Sequence, residues 1–142
     1  MMDSIRIDNK EVIKMGMYTE LVLKCRLKKE LPEEAKLVLS YMFSDGDRPK
    51  TLPNHAFFAK PRWDYIGTCA SYYHHPKAVN SAPKDDWCEY HEYLFSRSDI
   101  KNYDGEIASF IDWLKPYLDH ENGDCVGWSW YEEEQVPTLI IY

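Results

Sequence analysis

The alternation that begins at Tyr18 constrains the fold of this chain more than any other feature. In YTELVLKCRL, Leu21, Leu23, Cys25 and Leu27 point one way, while Glu20, Lys24 and Arg26 point the other. A period of two specifies a half-buried strand. The period then changes. LPEEAKLVLSYMF places Pro32 in the first helical turn, Glu33 and Glu34 at the positive end of the helix, and Leu31, Ala35, Val38 and Met42 on one face. Gly46 is positioned to terminate that helix.

The remaining segments extend this pattern. Residues 44–62 contain Pro49, Pro53 and Pro61 and have no usable period, so they are expected to form a functional loop or to conceal a short helical turn. WDYIGTCASYY, from Trp63 to Tyr73, reads as a strand, and HHPKAVNSAPKDD as a Pro-broken loop. WCEYHEYLFSR, from Trp87 to Arg97, reads as the strand that pairs back in a long-looped hairpin. A second helix is expected with Asp104 as N-cap and Ile107, Phe110, Ile111, Leu114 and Leu118 at helical spacing. Pro116 should kink or shorten it. Asn122-Gly123-Asp124 is a turn, and CVGWSWYEE with VPTLIIY forms a terminal hairpin, where Pro137 suggests a sheet edge. The order is β-α-β-β-α-β with one extra C-terminal edge strand. This is the α+β, ferredoxin-like plan: an antiparallel sheet with two helices on one face and strands one and three side by side in the middle. Residues 17–142 read as a single α+β domain, and residues 1–16 as a leader or loose N-terminal arm that is dispensable for stability.

Composition bounds the function. A chain of 142 residues with 15% aromatics has ample apolar surface for one folded domain, which argues against disorder. A formal charge of -7 disfavours a nucleic-acid arm. The charge is uneven: residues 1–71 carry 12 basic and 10 acidic side chains, and residues 72–142 carry 5 and 14. No apolar run approaches the roughly 20 residues of a membrane span, and the polar opening is unlike a signal peptide. Cys25, Cys69, Cys88 and Cys125 lie far apart with no C-x-x-C pair. They read as buried thiols in a reducing, cytoplasmic compartment rather than as a disulfide framework.

Three chemistries compete for the site. The first is binding on the open face of the sheet, where the later strands carry more aromatics than one covered face requires. In the third strand Tyr93 and Phe95 oppose Leu94, and in the fourth Trp128 and Trp130 oppose Tyr131. The expected site is Tyr65, Tyr73, Tyr93, Trp128 and Trp130, with Arg62 and loop 44–62 at the rim. Alternatively, that loop or the N-terminal arm folds over the face. The second chemistry is metal binding by Cys69, His74, His75, Cys88 and His91. Their spacing does not set four ligands in a tetrahedron, so no metal and no cofactor are expected. The third is a small hydrolase or nuclease-like enzyme that uses loop histidines, for example His55 with Asp64. No nucleophile elbow or glycine-rich phosphate loop supports it. The third strand also lacks the basic-glycine-aromatic start of an RNA-recognition module, which disfavours long nucleic acids.

The expected function is therefore non-catalytic binding of a protein partner or a small anionic, nucleotide-like ligand, with no membrane role. The alternatives are the hydrolase and a homodimer whose interface is the aromatic face. MYTELVLKC, KNYDGEIASFIDWLKPY and YEEEQVPTLIIY resemble segments of a group of small uncharacterised bacterial and phage proteins. That resemblance implies no activity, cofactor or site residue. It implies an accessory protein of a phage or other mobile element.

Overall fold

A computed structural model of the chain describes residues 17–67, 80–81 and 92–142. At its centre is strand β1 (Thr19–Leu27), with Leu21, Leu23, Cys25 and Leu27 all buried and Lys24 exposed. Helix α1 (Glu33–Phe43) follows. The two-residue strand β2 (Asn80–Ser81) and strand β3 (Glu92–Ile100) come next, then helix α2 (Glu106–Leu114) and the hairpin of β4 (Cys125–Tyr131) with β5 (Thr138–Ile141). The sheet order is β2-β3-β1-β4-β5, and each neighbouring pair is antiparallel.

Alternation decides which side of the sheet is covered. Leu94, Ser96, Ser98 and Ile100 of β3 are buried and share the face of Leu21, Leu23 and Cys25 through the register Leu94↔Cys25 and Ile100↔Thr19. Ala35, Val38, Leu39 and Met42 of α1 join the same core, as do Ile107, Phe110, Trp113 and Leu114 of α2. Each of the larger aliphatic side chains and Phe110 contributes about 1.5–3 kcal/mol when fully buried, so one continuous cluster holds helices and sheet together.

The Pro-rich segment after α1 belongs to this core. A short 3₁₀ helix at Ala56–Ala59 inserts Phe57 and Phe58, and a second at Trp63–Tyr65 inserts Trp63. Phe57 lies 5.3 Å from Phe110, and Phe58 lies 5.2 Å from Trp113 and 5.0 Å from Trp63, ring centre to ring centre. Loop 44–62 thus packs into the helix layer and not over the open sheet face.

Several sequence expectations need correction here. Trp63–Tyr65 is a 3₁₀ turn and not the start of a strand. Trp63 and Ile66, three residues apart, are both buried while Tyr65 is exposed, which is the period of a 3₁₀ helix. The neighbour of β3 is Asn80–Ser81, in a stretch that reads as loop. Asp104 does not cap α2, because the chain passes through the left-handed region at Gly105 (φ 73°) and the helix starts one residue later. Asn102 Oδ1 instead accepts the Ile107 N–H at 3.0 Å. Pro116 does shorten α2, which ends at Leu114 and runs into a 3₁₀ turn at Lys115–Tyr117. The second half of the Trp63–Tyr73 strand, the proposed Cys69, His74, His75, Cys88 and His91 cluster, and residues 1–16 lie outside the described residues.

Candidate functional site: the open sheet face

The side chains that alternate with the buried set build the other face of the sheet. Tyr93 stands opposite Arg26, Phe95 opposite Lys24, Arg97 opposite Val22 and Asp99 opposite Glu20. On the far side of β1, Val22 meets Trp128 and Glu20 meets Trp130, and Trp128 in turn meets Leu139 of β5. A β-bulge between Cys125 and Gly127 re-phases β4, so that Val126 faces the core while both tryptophans face outward.

The face has two characters. Along β3 and β1 it is charged: Arg97 Nε donates to Glu20 at 2.5 Å and Arg97 Nη1 to Asp99 at 3.0 Å. Arg26 contacts Asp119 at 3.5 Å. Tyr93 and Phe95 stack beside these groups, 5.6 Å apart with planes 13° from parallel. Along β4 and β5 the face is apolar, with Trp130 38%, Leu139 58% and Ile141 51% exposed; Phe95, at 43%, extends it on β3. Trp130 donates its indole N–H to the Glu134 carbonyl at 2.8 Å, so the ring is fixed against the hairpin turn with its polar atom satisfied. What it presents outward is apolar surface.

The structure therefore brings Tyr93, Trp128 and Trp130 onto one face. Arg62 and Tyr65 belong to the segment packed in the helix layer. Arg62 pairs with Asp104 and Glu106, donates to the Lys101 carbonyl at 2.9 Å and lies 5.2 Å from the centre of the Tyr103 ring. Its charge is spent tying the β3–α2 connection to the preceding loop. Tyr73 lies outside the described residues. Leu139 and Ile141 are face members that the reading of single strands did not single out, and Phe95, grouped there with Tyr93, stood outside the expected site. Their signal was alternation with Leu94 and Ile140, and it becomes decisive only once strand neighbours are known.

The described histidines are held as structural parts. His55 Nδ1 accepts the Phe57 N–H at 3.0 Å, and Nε2 pairs with Asp112 at 2.9 Å. His120 Nε2 accepts the Arg26 N–H at 2.8 Å, and Nδ1 pairs with Asp124 at 3.1 Å. In each ring the basic nitrogen is occupied by a backbone donor, which leaves the proton on the nitrogen facing the carboxylate. Neither can accept a substrate proton without surrendering a backbone hydrogen bond. Asp64, the expected partner of His55, instead binds Arg48 at 2.6 Å and Tyr41 at 3.0 Å. The Tyr41 hydroxyl and then the Asp64 carboxylate hold the Arg48 guanidinium even more firmly protonated than usual. Among the described residues, no group of three or more His, Cys, Asp or Glu side chains is placed to hold a metal ion. No helix among them is long and apolar enough to cross a membrane.

These features define an α+β domain that covers one face of an antiparallel sheet with helices and presents aromatic, aliphatic and charged side chains on the other. No family model, curated protein or solved structure matches the chain.

Proposed function

We propose that the protein is a non-catalytic binding module whose β4–β5 half of the open face docks a protein partner. One observation carries this reading: Trp130, Leu139, Ile141 and Phe95 are all exposed on the same face, beside the half-buried Trp128. Contiguous apolar surface rimmed by charge is the common form of an interaction site, and Trp and Tyr dominate such sites energetically. The rim selects the partner. Glu132, Glu133 and Glu134 border the patch, and the chain carries a net charge of -7, so a partner with a basic rim around an apolar centre is favoured. A second copy would bring like-charged rims together. The small anionic ligand is disfavoured for the same reason, and because Arg97 already serves Glu20 and Asp99. Of the loop histidines that the hydrolase reading draws on, His55 is committed to a backbone hydrogen bond, and His74, His75 and His91 lie outside the described residues.

We further infer the split βαβ, ferredoxin-like plan, with β5 added at the edge. It is supported by the antiparallel order β2-β3-β1-β4-β5, with β2 serving as the second strand of the plan and β4 as the fourth. The cytoplasm and a mobile-element role remain part of this proposal.

Capture from a host extract with immobilised wild type, Leu139→Asp and Leu37→Asp proteins tests the docking face, followed by titration with the purified captured partner. Leu37, also an exposed leucine but on α1, serves as the control. The expected result is a partner bound by wild type and Leu37→Asp but at least about thirtyfold more weakly by Leu139→Asp, the loss of a hot spot of about 2 kcal/mol. Equal binding by all three proteins would overturn the reading. A wild-type dimer that Leu139→Asp dissociates would replace the partner with a second copy.

A further inference from the structure

At the end of the sheet where β1 begins, a cleft of about 460 Å³ opens between the β3–α2 connection and the β4–β5 hairpin. Thr19, Asn102, Tyr103, Ser129, Tyr131 and Glu134 line it. Ser129 and Tyr131 alternate with Trp128 and Trp130, so the cleft lies on the opposite side of the sheet from the docking face and shares with its rim Glu134, at the hairpin turn. Its size falls within the roughly 300–1,000 Å³ of small-ligand sites.

Met17 adds an apolar residue to the lining; Glu134 and the hydroxyls of Ser129 and Tyr131 supply acceptors, and Asn102 is left with amide donors. Asn102 spends its carbonyl on the first turn of α2, at 3.0 Å from the Ile107 nitrogen. Among the described residues, no hydrogen bond or ion pair engages the Glu134 carboxylate or the hydroxyls of Ser129 and Tyr131. The field is negative. The Tyr131 phenol is pushed above its ordinary pKa, first by burial and then by the charges of Glu133, Glu132 and Glu134. The Tyr103 phenol is likewise raised, chiefly by burial. The nearby cations are committed elsewhere: Arg62 to Asp104 and Glu106, and Lys101 to the face of the Tyr18 ring at 5.7 Å. An anion would meet repulsion here, and a neutral polyol would gain nothing from the charge. A compact cation with several N–H donors satisfies both the acceptors and the field.

We propose that this cleft binds a primary alkylammonium group, with Glu134 as counter-charge and the Ser129 and Tyr131 hydroxyls as acceptors. Two sources share that chemistry, a free polyamine and a lysine side chain. The full-length protein, labelled with nitrogen-15, would be titrated with 1,5-diaminopentane, with Nα-acetyl-lysine amide and with the neutral analogue 1,5-pentanediol. The amine probes should give saturable shifts of the Thr19, Ser129 and Glu134 amides, and the diol should not. Tighter binding of the diamine identifies a polyamine site, and tighter binding of the lysine derivative a side-chain site. Glu134→Gln, in an exposed turn, should weaken the amine by roughly three- to fivefold with the spectrum otherwise unchanged. Equal shifts with the diol, unchanged affinity in Glu134→Gln, or no saturable shift with either amine would overturn the proposal.

Discussion

Cys25 and Cys125 carry the same side chain in opposite environments. Cys25 is buried within β1, and burial alone pushes its thiol to about 12, whereas Cys125 is exposed at the start of β4. Only the thiolate alkylates readily. Iodoacetamide at pH 8 should therefore modify Cys125 in the native protein and Cys25 only in denaturant, as read by peptide mass mapping. The same shift has a consequence for stability. A thiol held neutral when folded ionises from its ordinary 9.0 when unfolded, so Cys25 favours unfolding as pH rises from 9 towards 12. Cys25→Ala should be less stable than wild type at pH 7 because it leaves a cavity, and the gap should narrow above pH 9. His120 offers a second test at this scale. His120→Ala leaves the Arg26 N–H without its acceptor, which should cost about 1–3 kcal/mol in urea unfolding. Its partner Asp124 is held below its ordinary 3.8, first by the Glu121 N–H and then by His120. That stabilisation is present above 3.8 and disappears as pH falls through the lower folded value. Asp124→Asn should therefore be destabilised at neutral pH and approach wild type in acid.

Individual elements depend on close backbone approaches that residue patterns do not announce. Gly127 has φ 153°, and a Cβ placed there would lie 2.1 Å from the Val22 carbonyl oxygen. Because that oxygen belongs to the strand pair itself, relief requires β1 and β4 to separate. Gly127→Ala should destabilise the protein by more than about 2 kcal/mol and raise hydrogen exchange first in the β1–β4 ladder. Helix α2 gives a milder case. Asn102 supplies the side-chain acceptor for its first turn from outside the helix, so Asn102→Ala should cost about 1 kcal/mol in thermal unfolding with the sheet intact. The helices and long strands were legible because each repeats one period over many residues: α1 through Ala35, Val38 and Met42, β1 through Leu21, Leu23 and Cys25. The cap of α2 was misplaced because Asp104 and Asn102 are both good caps, and only the path through Gly105 and the claim of Arg62 on Asp104 separate them.

At the scale of the whole molecule, local patterning settled the half-buried strand β1, both helices, strand β3 and the terminal hairpin, but it misread Trp63–Tyr65 as strand and Asn80–Ser81 as loop. It settled the former because a period of two or of 3.6 already states which side of an element must leave water. It also settled that Tyr93 opposes Leu94 and that Trp128 and Trp130 oppose Tyr131 along their own strands, whereas Val126 leaves the tryptophan face only through the bulge before Gly127. What partners those strands have is a property of pairing, and no single strand encodes its neighbours. Tertiary structure therefore decided that the aromatic loop of Phe57, Phe58 and Trp63 completes the core beside Trp113, that Asn80–Ser81 takes the place beside β3, and that Leu139 stands next to Trp128. It decided as well that Arg62 is consumed by Asp104 and Glu106 and that Thr19, Tyr103 and Tyr131 meet around one cleft. The physical reason is common to all of these. Burial and periodicity act within a few residues of chain, whereas contacts such as Arg62 with Glu106 join residues brought together only when the whole core closes.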